Sequence, residues 1–347
     1  MARPAPRNAR EFFELFAQYT SAGGLAGMMR ELDYSKVEPR QIYFALHGRA
    51  PERRELAVPP PNFSAQDKYI RTFLSPEFQT NLIPHFLEAF PEKRRLLFIH
   101  IPKAAGSELT NRLSSKFPHL NSQAIEPGWL TEDQLCLYLR RAVLGLATSD
   151  RLFICGHNSL ERYRRWHAIR YGDEVFTALR DPVRAIISQV NYILMRMFAA
   201  EATPKPDTLG WRRVFAVKNP EQQPSAAAAI DLAKRILRRE DVVPANVACR
   251  FLGGAVSTAE AALDRIVCYG VELTDLAHLD QWCHERWGIE REGRSNESKP
   301  YIRYEDLSPA DKDYIASVTA EDGKLYARVQ QRLNQSQASS VKGLELA

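Results

Sequence analysis

Residues 96 to 113 read LLFIHIPKAAGSELTNRL. An apolar run of strand character meets Pro102 and Lys103, passes through small residues, and becomes a pattern of helical spacing. A tight strand-to-helix turn of this kind aims the backbone N–H groups of residues 104 to 109 at an anion, on the positive end of the helix dipole. Pro102 stiffens the chain, Gly106 permits close backbone approach, and Lys103 supplies a point charge. The nucleotide-hydrolysing loop G-x-x-x-x-G-K-[ST] carries its lysine after the glycines and a hydroxyl for magnesium. Here the lysine comes first and no G-K-[ST] follows, so ATP hydrolysis is not the expected chemistry.

Working outward, strands alternate with helices. RLLFIHI leads to a helix over 106–117, RLFICGH at 151–157 to a basic helix, and EVFTALR at 174–180 to a helix over 182–198. This alternation predicts an α/β fold with a central parallel sheet flanked by helices. Residues 9–90 have helical periodicity in AREFFELFAQY and FQTNLIPHFLEAF, broken by VPPPNF at 58–63, a linker or sharp corner. The domain reading is therefore a helical N-terminal extension over 1–92, a main domain over 93–334 and a polar, frayed tail over 335–347. Residues 199–224, with Pro204, Pro206, Pro220 and Pro224, read as a flexible excursion that could serve as a substrate lid. SAAAAIDLAKRILRRE and the segment from Asp306 to Leu333 read as helical, and ALDRIVCYGVEL as a helix feeding a further strand. No internal repeat is present.

A chain of 347 residues, 45% hydrophobic and 26% charged, can bury a substantial core. Its formal charge of +5 suits an anionic ligand but is far below that of a nucleic-acid coat, so no nucleic-acid partner is expected. The cysteines, Cys136, Cys155, Cys249, Cys268 and Cys283, are odd in number and form no C-x-x-C pair, which argues against a disulfide framework and fits a reducing compartment. Cys283, His284 and His278 match no zinc-ligand spacing, and no metal is expected. The start MARPAPRNAREFFELF has no continuous apolar segment, and no later run approaches a membrane span. The expectation is a cytoplasmic protein without an integral membrane segment.

FIHIPKAAGSEL resembles the F-x-H-I-P-K-T-A-G-T-S-L loop of the carbohydrate sulfotransferases related to heparan sulfate 2-O-sulfotransferase, including their bacterial members. A second stretch, FTALRDPVRAIISQVNYI at 176–193, is similar to that family's T-L-R-D-P-x-x-R-x-x-S-x-Y segment. The resemblance extends loosely over residues 95 to 330. It implies a P-loop-like sulfotransferase fold and an enzyme that uses 3′-phosphoadenosine 5′-phosphosulfate (PAPS) as donor, without metal. It also implies a hydroxyl of a carbohydrate or glycoconjugate as acceptor. By the same resemblance, Lys103, Ala104, Ala105, Gly106, Ser107, Glu108 and Thr110 surround the 5′-phosphosulfate, and Arg180 and Ser188 hold the 3′-phosphate. Physically, Arg180 ends a strand and can offer its fork to phosphate, with Ser188 about two helical turns on. Within the N-terminal extension, IYFALHGRAPERREL and FLSPEFQ resemble a short helical module, with "LLGRxPE" and "FLxSxEF" signatures, that accompanies bacterial glycan-related enzymes.

Two positions depart from the family pattern. Ala104 replaces threonine and Glu108 replaces serine, so two hydroxyls are missing, while Ser107 and Thr110 keep two others. A carboxylate at 108 either points outward and favours the dipole or points inward and repels the donor.

Sulfuryl transfer, like in-line phosphoryl transfer, needs positioning, a base for the hydroxyl proton and a cation for the leaving oxygen. Lys103 is the candidate cation. His157, in LFICGHNSL, ends a strand after a permissive glycine and is the candidate base; it matches the second histidine of the H-G-H-V-S segment in the family, and Cys155 stands where the first would be. Arg162, Arg164 and Arg165 in the following basic helix are candidates for an acidic acceptor, or simply a solvated face. Two rival readings stand beside the enzyme: a degenerate sulfotransferase fold that binds nucleotide or sulfated glycan without turnover, motivated by Ala104 and Glu108, and a nucleotide-dependent kinase. The oligomeric state is not legible in the sequence.

Overall fold

The computed structural model describes residues 3–4, 6–18, 32–33, 39–47, 71–72, 75–104, 106–122, 125, 131–199, 206–217, 220–264, 267–270, 283–290 and 300–344. The expected corner at 58–63, the segment from Arg49 to Leu56, the stretch 271–282 and Ala105 lie outside the described residues. The chain divides into two units: residues 1–98, 113–158 and 162–175 form one, and residues 99–112, 159–161 and 176–347 form the other.

The fold is α/β, with an all-parallel central sheet flanked by helices. Its strands are β1 (Arg94–Ile99), β2 (His119–Asn121), β3 (Arg151–Cys155), β4 (Glu174–Leu179) and β5 (Val267–Gly270). β1, β3 and β4 coincide with the three runs read from hydrophobicity. They are buried at nearly every position, as strands covered on both faces must be.

In the first unit, β3 pairs in parallel with β1 through Leu96 opposite Phe153, and with β2 through Leu120 opposite Ile154. Helix α1 (Ala9–Gln18) repeats phenylalanine at i, i+1 and i+4, and its apolar face lies on α3 (Pro76–Ala89): Phe13 meets Phe86 at 5.0 Å between ring centroids, and Phe12 meets Phe78 at 6.4 Å. Helix α2 (Pro39–His47) packs against both. Ser75 caps α3 by accepting from Phe78 N–H at 3.1 Å, with Pro76 at the first helical position, so the S-P pair within FLSPEFQ is a helix start. Helix α4 (Gly106–Lys116) leaves the second unit and enters the first, and α5 (Glu132–Leu146) begins with a Thr131–Gln134 capping box. Neither β2 nor α5 was expected from the sequence; for β2 the reason is that HLN is too short to show alternation. Helix α6 (Leu160–Arg165) is the basic helix after β3.

In the second unit, β4 and β5 pair in parallel, with Phe176 opposite Val267. The core lies between α7 (Pro182–Met197) and α9 (Ala226–Leu237), where Val190, Ile193, Leu194 and Met197 face Ala233 and Ile236. The excursion at 199–224 differs from expectation: residues 206–214 form helix α8 (Pro206–Val214). It is docked by Arg212, whose guanidinium donates to the carbonyls of Met197 at 2.9 Å and Ala199 at 2.7 Å at the end of α7. The Met197 carbonyl is one of the orphans every helix leaves at its C-terminus, and a basic side chain satisfies it. Helices α10 (Val247–Leu252), α11 (Val256–Leu263), α12 (Pro309–Val318) and α13 (Ala320–Leu344) also belong to this unit. The tail expected to fray from residue 335 continues α13 as far as Leu344.

Candidate active site

The turn after β1 belongs to the second unit. Its geometry is set by local bonds: Ile101 N–H donates to Ile99 O at 3.1 Å, and Ala104 N–H donates to Ile101 O at 3.3 Å. Ala104 is buried, and its N–H, expected to face an anion, is spent on closing the turn. Lys103 sits at φ 64°, a left-handed conformation unfavourable for a residue with a Cβ by ~1 kcal/mol or more. Strain of this kind persists only where surrounding contacts hold it, and here they are visible. Arg180 Nη1 donates to the Lys103 carbonyl at 3.2 Å, and the Lys103 ammonium lies 4.5 Å from the centroid of the Tyr192 ring.

Gly106 opens α4, and a Cβ there would lie 2.0 Å from Cδ2 of His100. The buried His100 ring fills the space that any larger residue would need. The glycine is thus required by packing inside the loop, whatever lies outside it.

The second stretch separates into parts with distinct jobs. Arg180 follows the last residue of β4; Asp181 is the N-cap of α7, accepting from Arg184 N–H at 2.8 Å; Pro182 occupies the first turn. Asp-Pro starts the helix, and Arg180 is delivered to the Lys103 loop. Thr177, two residues inside β4, ties that strand to β1 by donating from Oγ1 to Ile99 O at 2.8 Å. Ser188 and Tyr192 lie four apart on α7, on one helix face. Tyr192 in turn meets Trp211 of α8 edge-on at 6.2 Å, so the excursion supports the ring under Lys103. Neither aromatic was singled out in the sequence, although an aromatic four residues after Ser188 on the same face was the available signal.

Burial first, and Arg180 second, lower the Lys103 ammonium to about 8. Among the described residues no carboxylate pairs with Lys103. The chain matches none of the known protein families, characterised proteins or solved structures with which it was compared. Chemical interpretation of the site rests on its own geometry.

The remaining predicted residues fall as follows. Glu108 forms an ion pair with Arg112 one turn further along α4, both side chains largely buried. Its charge is therefore engaged along the helix, which is neither of the two orientations weighed from the sequence. Ser107 is exposed, and Thr110 Oγ1 is buried with no hydrogen-bond partner among the described residues. His157 belongs to the first unit, exposed, two residues beyond the end of β3. Arg162, Arg164 and Arg165 lie in the last turn of α6; Arg164 and Arg165 are exposed, and the Arg162 guanidinium lies 4.9 Å from the Trp166 ring centroid. No group of three or more metal-ligating side chains occurs among the described residues. Among those same residues no helix is long and apolar enough to cross a membrane.

In the second unit two cations, Lys103 and Arg180, meet at the turn after β1, and Thr110 Oγ1 in α4 is a buried hydroxyl without a described partner. A buried hydroxyl without a partner is costly, and an anionic oxygen satisfies it. The residues present fit a phosphate-bearing donor.

Proposed function

We propose that the chain is a PAPS-dependent sulfotransferase acting on a hydroxyl of a carbohydrate or glycoconjugate, with residues 93–334 as the catalytic domain of P-loop-like sulfotransferase type behind a helical extension. The observation that carries this reading is Lys103: a strained, half-buried lysine at a strand-to-helix turn, pressed by Arg180 and paired with no described carboxylate. Such a lysine costs stability and is accounted for by an anionic ligand.

When bound, PAPS would supply a sulfuryl group already activated on a phosphate leaving group. The chain's own residues would do the rest. Lys103, with its ammonium at about 8 and so about nine-tenths protonated at neutral pH, neutralises charge growing on the leaving oxygen. Ser107 and Thr110 hold the phosphosulfate oxygens, and Arg180 with Ser188 holds the 3′-phosphate. His157 accepts the acceptor's proton, and Arg162, Arg164 and Arg165 offer charge to an acidic acceptor. The Glu108–Arg112 pair weakens the case for a degenerate fold, since the carboxylate that with Ala104 motivated it is neutralised within its own helix.

Calorimetric titration with adenosine 3′,5′-bisphosphate beside ATP and magnesium tests the donor, and a PAPS turnover assay over a glycan panel tests the reaction. Selective binding of the bisphosphate and sulfate transfer are expected. Preference for ATP with magnesium would favour the kinase, and binding without transfer the degenerate fold. Arg180→Ala should weaken adenosine 3′,5′-bisphosphate by ~1.5–3 kcal/mol, with adenosine 5′-phosphosulfate little affected. Equal losses for both nucleotides would make Arg180 purely structural.

A further inference from the structure

The turn that carries His157 is fastened from beneath by a buried polar network, all of it in the first unit. Gly156 sits at φ 132°, and a Cβ there would lie 1.8 Å from Ser122 Oγ. Asn158, only 2% exposed, donates from its N–H to Gly156 O at 2.8 Å and from Nδ2 to Ser122 Oγ at 2.6 Å. Ser122 N–H donates to Cys155 O at 2.9 Å, tying the network to the end of β3. Below it lies Tyr163, fully buried, hydrogen-bonded to Asn158 and donating from its hydroxyl to Phe98 O at 3.4 Å. Burial keeps that phenol neutral by raising its pKa.

An asparagine in a protein core is costly unless its amide is bonded. Here no strand or helix requires one: β3 ends at Cys155 and α6 starts at Leu160. What the network does is clamp the backbone on both sides of an exposed histidine. A left-handed glycine lets Ser122 approach, and the Ser122–Asn158 bond closes the turn over it.

We propose that Asn158 and Ser122 are positioning residues that hold the His157 backbone at the carboxyl end of β3, so that its imidazole is presented in one place for proton transfer. The role in transfer rests on the reading of His157 as the base; the clamp itself does not. A loose base loses rate through misplacement even when its chemistry is intact.

The test compares wild type, Asn158→Ala and Ser122→Ala. Three quantities are read on the full chain: hydrogen exchange of the Asn158 N–H, the NMR titration of the His157 ring, and kcat, KM and adenosine 3′,5′-bisphosphate affinity. In both variants the amide should exchange ~10-fold faster, in line with loss of about one net hydrogen bond. The His157 ring should titrate differently, and kcat should fall at least ~10-fold with nucleotide affinity unchanged. Ser122→Ala deletes a single oxygen and carries the test if Asn158→Ala does not fold. Unchanged exchange and an unchanged His157 titration in a folded variant would overturn the proposal. Changed exchange and titration in a chain that transfers no sulfate would support the clamp and instead remove the sulfotransferase reading.

Discussion

The ammonium of Lys103 rests 4.5 Å from the centroid of Tyr192, a residue on another element whose own ring is braced by Trp211. A cation over an aromatic face gains ~0.5–2 kcal/mol, more when water is excluded. Tyr192→Phe keeps the face and should leave kcat within about twofold, whereas Tyr192→Ala should lower it ~3- to 30-fold. Steady-state kinetics with saturating PAPS decide it; equal effects in both variants would locate the contribution in the hydroxyl.

Lys103 lies below the ordinary lysine range, at about 8, because burial and then Arg180 disfavour its charge. Its folded pKa is therefore beneath its unfolded one, and the charged form costs folding stability at neutral pH. Lys103→Met should raise stability by ~1–3 kcal/mol at pH 7 while abolishing turnover. The gain should shrink as pH rises from about 8 towards the ordinary lysine value, where both states lose the proton. Denaturant unfolding at pH 7 and pH 10 measures both, and a destabilised variant at pH 7 would show that Lys103 is held by attractive contacts instead.

In the role proposed for it the same ammonium acts only when charged, so kcat/KM should fall on the alkaline side with a midpoint near 8. Arg180→Gln removes the like charge that lowers Lys103 and should move that midpoint upward. A pH–rate series on both proteins reads the shift, and a midpoint that stays put would assign the limb to another group.

Gly106→Ala places a methyl 2.0 Å from the His100 ring and should cost ~1–3 kcal/mol as the core overpacks. Adding His100→Ala should recover part of that loss, a coupling that a double-mutant cycle by urea denaturation detects. Additive losses would mean that the ring and the glycine do not compete for one space.

Glu108→Ser, which restores the residue of the resembled family, should destabilise the fold by ~1–3 kcal/mol, since Arg112 loses a partner inside the protein. Thermal unfolding and nucleotide titration on one preparation separate this from an intruding carboxylate, which would show as tighter nucleotide binding without a stability loss.

Leu96 to Ile99, Leu152 to Cys155 and Val175 to Leu179 announce buried parallel strands by themselves, because a strand covered on both faces must be apolar throughout and that property is local. Helix starts at Ser75-Pro76 and Asp181-Pro182 are equally local, since a cap needs only a side-chain oxygen and the backbone within its reach. The sequence by itself therefore determined the strand-and-helix alternation and the candidate cations Lys103 and Arg180. It misjudged residues 206–214, whose helix rests on Arg212 reaching the carbonyls at the end of α7, a contact with no sequence period. Only the tertiary structure decided that Arg180 grips the Lys103 carbonyl 77 positions away, that Tyr192 lies under the ammonium, and that Asn158 is locked to Ser122. These are pairings between elements, set by how helices and strands dock. Charge, burial and strain at a site belong to the pairings and are carried by no residue alone.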